Sequence, residues 1–135
     1  MKIFISYKQS GLTNRELQSD LNLFKEILES QWHSVFIYYF DADYINRTPK
    51  DIIFTARDEI ITSDLVVWFI NHHGKSEWMM EELWIAFWLE KDIKLIVNTK
   101  FEEEYFLSYG ISSETFLFSN IEELKNIISH QLIHD

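Results

Sequence analysis

The chain has no cysteine among its 135 residues, which excludes a disulfide framework, a thiolate metal site and a cysteine nucleophile. That absence fits a reducing compartment, and a cytoplasmic location is expected. Proline occurs once and glycine three times, so long regular elements with few flexible linkers are expected. Basic residues are in deficit: 12 Lys and Arg stand against 22 Asp and Glu, a formal charge of -10. Duplex nucleic acid is a poor partner for such a chain, because binding its backbone needs clustered cations. No apolar run approaches the roughly 18 residues of a membrane span, so no membrane partner is expected. Met1-Lys2 leads straight into Ile3-Phe4-Ile5, too short for a signal-peptide core. Gly-x-Gly-x-x-Gly, the Walker loop and Gly-x-Ser-x-Gly are all missing, which argues against a dinucleotide-binding Rossmann unit, a P-loop nucleotidase and a hydrolase elbow. His72-His73 are adjacent in a loop and point different ways, with no second ligand cluster, so neither a metal nor a resident cofactor is expected.

What is present is a β–α alternation over a single domain, residues 1–135. Hydrophobic residues make up 47% of the chain, enough for a sizeable core. Lys2–Tyr7 reads as a buried strand. Thr13-Asn14-Arg15-Glu16 is a capping box, followed by Leu17, Leu21, Phe24 and Leu28 at helical spacing. Residues 34–40 read as a second strand. Thr48-Pro49 opens a helix carrying Ile52, Ala56 and Ile60. Asp64–Asn71 is a continuously apolar strand, as when both faces are covered. Ser76–Lys91 is a helix, apolar nearly all round. Ile93–Val97 and Thr115–Phe118 read as strands, with a short acidic helix or loop over Glu102–Tyr109. Asn120 and Glu123 cap a last helix. The spacing predicts an α/β, three-layer flavodoxin-like fold with a mostly parallel five-stranded sheet in the order 2-1-3-4-5. Ligands then sit outside the carboxyl ends of the strands, at the gap between strands one and three.

Glu82 stands out against that frame. It shares one helical stripe with Trp78, Ala86 and Leu89, and an unpaired carboxylate in an apolar stripe is costly to bury. Either it is a site residue with a pKa raised by burial, or that side of the helix is wet. Ser6, Tyr7 and Lys8 close strand one and suit a sugar or phosphate. Asp41 and Asp43 follow strand two and could accept ribose hydroxyls. Asn71 ends strand three at the same edge. Ser76 either caps its helix or meets a phosphate there. Trp78 or Tyr7 could stack on a base. Met80, Trp84, Phe87 and Trp88 thicken the rest of the helix beyond what a monomer usually exposes, which points to self-association or a partner protein.

Several stretches resemble TIR domains: Phe4-Ile5-Ser6-Tyr7, Ser63-Asp64-Leu65-Val66-Val67, and above all Ser76-Glu77-Trp78-Met79-Met80-Glu81-Glu82-Leu83, similar to that family's Ser-x-Trp-x-x-x-Glu-Leu box. The resemblance implies that Glu82 splits NAD+ at the nicotinamide–ribose bond, with NAD+ or another nucleotide as substrate rather than cofactor. It also implies activity coupled to assembly, a partner effector protein, and a place in bacterial antiphage defence. Ser76, Glu82, Leu83 and Ala86 equally resemble the Ser-x-Gly-x-Gly-x-Glu-Leu-Gly-x-Ala pattern of nucleoside 2-deoxyribosyltransferase-like proteins, in which the glutamate is a nucleophile. The glycines of that pattern are Trp78, Met80 and Trp84 here. A non-catalytic TIR-like assembly module is the third reading.

Overall fold

A computed structural model describes residues 1–8, 15–41, 48–73 and 76–134. The apolar opening run forms β1 (Lys2–Ser6), and α1 (Arg15–Ser30) buries Leu21, Phe24 and Leu28 at helical spacing. Thr13 and Asn14 of the expected capping box, and Asp43, lie outside the described residues.

Strand β2 (Ser34–Ile37) is shorter than the 34–40 run suggested. After Ile37 the chain enters one helical turn, α2 (Tyr38–Asp41). Asp41 Oδ2 accepts the Ile37 N–H at 2.8 Å, a local side-chain bond that competes with further strand pairing. Helix α3 (Pro49–Ile61) opens as its sequence demands. Thr48 Oγ1 accepts the Asp51 N–H at 3.2 Å, and Asp51 Oδ2 accepts the Thr48 N–H at 3.2 Å.

Every residue of β3 (Leu65–Ile70) is buried. Helix α4 (Glu77–Trp88) starts at Ser76, whose hydroxyl accepts the Met79 N–H at 3.3 Å. Then come β4 (Asp92–Asn98), a run of 3-10 turns over Thr99–Ile111, β5 (Glu114–Phe118) and α5 (Ile121–Asn126), which continues as a π-helical turn over Ile127–Gln131.

All strand pairs are parallel, in the expected order β2-β1-β3-β4-β5. The register aligns Phe4 with Phe36 and Val66, and Ser6 with Trp68. Alternation along each strand therefore sends Phe4, Ser6, Phe36, Val66 and Trp68 to one face. Helices α3 and α4 cover that face, with Ala56, Ile60, Met79, Leu83 and Ala86 buried. Helices α1 and α5 cover the other, where Phe24 meets Phe69 edge-on at 5.1 Å and Phe69 stacks on Phe118 at 5.9 Å. No described helix is long and apolar enough to cross a membrane.

Candidate active site

Glu82 is set by three local decisions. Pleat alternation aims the last residue of β1, Ser6, at the α4 face. Its register partner on β3, Trp68, donates its indole N–H to the Met79 carbonyl at 3.1 Å, which ties the first turn of α4 to the sheet. One turn further on, Glu82 meets the strand end, and Ser6 Oγ donates to Glu82 Oε1 at 2.7 Å. Glu82 is 3% exposed.

Burial pushes the Glu82 carboxyl up to about 8. Loss of hydration is the largest cause, and the Ser6 and Trp78 donors offset part of it. The Trp78 indole N–H is itself buried and reaches no acceptor with hydrogen-bond geometry, although it lies close enough to favour the ionised carboxyl. Trp78 packs edge-on against Tyr38 at 5.6 Å, and Tyr38 against Phe36 at 6.0 Å. The carboxyl thus has an aromatic wall on the β2 side.

The structure brings Ser6, Trp78 and Glu82 together and distributes the other expected site residues around them. Tyr7 is 2% exposed and, one residue after Ser6, belongs by alternation to the α1 face. Lys8 Nζ donates to the His73 carbonyl at 2.9 Å, bridging the end of β1 to the loop after β3 across the switch point. Asp41 spends one oxygen on the Ile37 N–H and the other on Lys25 Nζ at 3.0 Å. Asn71 lies on the α1 face, where its Nδ2 donates to Asp20 Oδ2 at 3.0 Å. Ser76 is the N-cap of α4, the capping alternative of the two open for it.

Tyr38 and Trp68 were not singled out from sequence, because each reads as an ordinary strand residue. Asp20 carried a usable signal: like Glu82 it is an acid within an apolar helical stripe, between Leu17 and Phe24. It is 7% exposed and its carboxyl is raised, first by burial.

A protonatable carboxyl, a hydroxyl donor on one of its oxygens and an aromatic wall can perform acid–base or nucleophilic work at a sugar carbon. No family model matches the chain, and no curated protein does. Among solved structures, the chain is similar to the CMP N-glycosidase BcmB of Clostridium botulinum, at 19% identity and a TM-score of 0.68, over 93% of this chain and 95% of that one. It is also similar to a conserved protein of Enterococcus faecalis V583, at 12% identity and a TM-score of 0.70, over 97% of this chain and 98% of that one. At these identities the likeness is one of fold.

Proposed function

We propose that this chain cleaves the N-glycosidic bond of a nucleotide, with Glu82 as the nucleophile. The observation that carries the reading is the Glu82 carboxyl: buried, with no cation beside it among the described residues, held by Ser6, and placed at the carboxyl edge of the sheet beside the β1–β3 switch point. The spacing shared with nucleoside 2-deoxyribosyltransferase-like proteins supports it, and so does the fold shared with a CMP N-glycosidase.

In the proposed reaction an ionised Glu82 oxygen attacks C1′ of the sugar. The C1′–N bond breaks, and the base leaves with the electron pair and takes up a proton. Water then attacks C1′, frees Glu82 and gives the sugar hemiacetal. Ser6 holds Oε1, which leaves Oε2 for C1′. With a pKa of about 8, roughly a tenth of the enzyme carries the reactive carboxylate at pH 7, so base release rises between pH 7 and 9.

One observation favours a second substrate. Trp78 occupies a glycine position of the deoxyribosyltransferase pattern and matches the TIR box instead, which keeps the nicotinamide–ribose bond of NAD+ in contention. The test is incubation of purified protein with CMP, dCMP, other nucleotides and NAD+, with released bases separated by chromatography beside a Glu82→Gln control. Free base from a nucleotide, absent in the control, is expected. Nicotinamide release would move the substrate to NAD+ and leave Glu82 in place. A folded Gln variant that still releases base would remove Glu82 from the chemistry. Silence on every substrate would overturn the enzymatic reading in favour of an assembly module.

We also propose that a second copy of the chain packs on the outer face of α4. Trp84, Phe87 and Trp88 form a contiguous exposed cluster, with ring centroids 5.7 and 5.9 Å apart and Trp88 75% exposed. Together they present roughly 400 Å² of ring surface, about 800 Å² across a two-fold pair, so the surrounding rim must add a few hundred Å² to reach the roughly 1,000 Å² of a specific interface. Sedimentation should show dimers that Trp88→Glu disperses; a monomer at about 100 μM would refute the contact.

A further inference from the structure

One cavity lies away from Glu82. It opens on the opposite face of the sheet, at the carboxyl ends of β3, β4 and β5, with a volume of about 470 Å³. Three side chains from three elements form a relay along its wall. Asn71 Nδ2 donates to Asp20 Oδ2 at 3.0 Å, Asn98 Nδ2 donates to Asn71 Oδ1 at 2.8 Å, and Asn98 Oδ1 accepts the Lys100 N–H at 3.0 Å.

That relay leaves capacity unspent. Among the described residues, Asp20 uses one of its two oxygens, and each amide uses one of its two N–H groups. Asp20 is 7% exposed and lines the cavity, so a ligand there can meet what it still offers. Asn71 and Asn98 are half-buried, so their unused N–H groups can be reached from the cavity. Phe118 and Leu124 add apolar surface to the lining.

We propose that this cavity is a second binding site, for a neutral sugar ring, either free or as the sugar of a nucleoside. A carboxylate accepts from vicinal hydroxyls, side-chain amides donate to ring and hydroxyl oxygens, and the Phe118 side takes the C–H face of the ring. Electrostatics select the neutral form. Glu16 and Asp20 line the cavity against a single Lys100, so a phosphate pays repulsion there. The volume lies within the usual range for small-molecule pockets. The site does not rest on the chemistry proposed for Glu82, which lies across the sheet.

The experiment titrates the ¹⁵N-labelled full chain with D-ribose, adenosine and ribose 5-phosphate to about 10 mM, following the side-chain amide signals of Asn71 and Asn98. Both signals should shift saturably with D-ribose or adenosine, equally in the wild type and in Glu82→Gln. Asp20→Asn, which keeps the shape and the bond to Asn71, should weaken the response about tenfold, as loss of a charged acceptor would. Asn98→Leu, checked for fold by its backbone spectrum, should weaken it as well. Unmoved signals at the highest concentration overturn the site. So does a stronger response to ribose 5-phosphate, which would make it an anion site at Lys100. A response lost in Glu82→Gln but kept in Asp20→Asn would place the sugar in the Glu82 crevice instead. Failure of base release by the wild type leaves all of these outcomes readable.

Discussion

Glu82 makes a prediction that needs no substrate. A carboxyl whose folded pKa is about 8 keeps a proton that the unfolded chain releases near 4.5. Between those values the native state binds more protons than the unfolded one, so stability falls as pH rises, and the loss is complete above pH 8. The difference of about 3.5 pH units corresponds to on the order of 4–5 kcal/mol, since each unit is worth 1.36 kcal/mol. Glu82→Gln removes the titration while keeping the shape and an oxygen for Ser6. Its amide also turns a donor toward the Trp78 indole, which costs about 1 kcal/mol at every pH. The two proteins should therefore have similar urea midpoints at pH 5. By pH 9 the variant should be the more stable by about 3–4 kcal/mol. With a slope of about 2 kcal/mol per molar urea, that separates the midpoints by roughly 1.5–2 M. Denaturation by urea at pH 5, 6, 7, 8 and 9, followed by tryptophan fluorescence, measures it. Parallel profiles across this range would show that Glu82 is hydrated or cation-paired in solution, and the basis for singling it out would go with them.

Ser6→Ala should destabilise the protein by about 1–3 kcal/mol and raise the Glu82 pKa further, because the hydroxyl removed is one of the two donors that lower it; in an active enzyme the rising limb of the pH–rate profile moves to higher pH, and an unmoved profile refutes the coupling. Trp32 is 94% exposed and sits at φ 69 just beyond α1, where the Trp32 and His33 N–H groups return to the helix end; Trp32→Gly should gain about 0.5–1 kcal/mol by urea denaturation, and a loss would refute the strain. Lys94 is buried in β4 and donates to the Leu132 carbonyl at 2.7 Å; Lys94→Met should cost about 1–3 kcal/mol and speed amide exchange over residues 127–132, and unchanged exchange would show that this bond does not hold the C-terminal turn.

The order of the sheet was legible because each helix and strand announces itself locally. Thr48, Pro49 and Asp51 open α3, Ser76 opens α4, and the unbroken run of β3 implies cover on both faces. The end of β2 was not legible, since Tyr38, Tyr39 and Phe40 have strand composition. What ends the strand is a bond from the Ile37 amide to a side chain four residues later. The Glu82 position was legible from a carboxylate in an apolar stripe, and the same test applied to α1 would have found Asp20. Its partners were not. Whether Asn71 faces Glu82 or Asp20 depends on one step of pleat phase at the end of β3, which composition cannot specify. The polar groups clustered at one sheet edge in sequence thus divide, in three dimensions, between two faces.

The same geometry says which sequence differences bear on the substrate. Ser76, Leu83 and Ala86 match both candidate families, yet each has a structural duty: Ser76 caps α4, and Leu83 and Ala86 fill the core against the sheet. Any α4 docked on this sheet needs something like them, so they add little to a choice between NAD+ and a deoxynucleotide. Of the three positions where glycines are replaced, Trp84 is half-exposed on the outer side of the helix, away from the Glu82 carboxyl. Met80 is half-buried against the core. Trp78 alone stands beside the carboxyl, its ring against Tyr38 and its N–H turned toward Glu82. A glycine there would leave the volume of an indole open next to the Glu82 carboxyl, and a tryptophan closes it. Trp78→Gly tested on the nucleotide panel therefore addresses the choice of substrate more directly than any change in the residues the two families share.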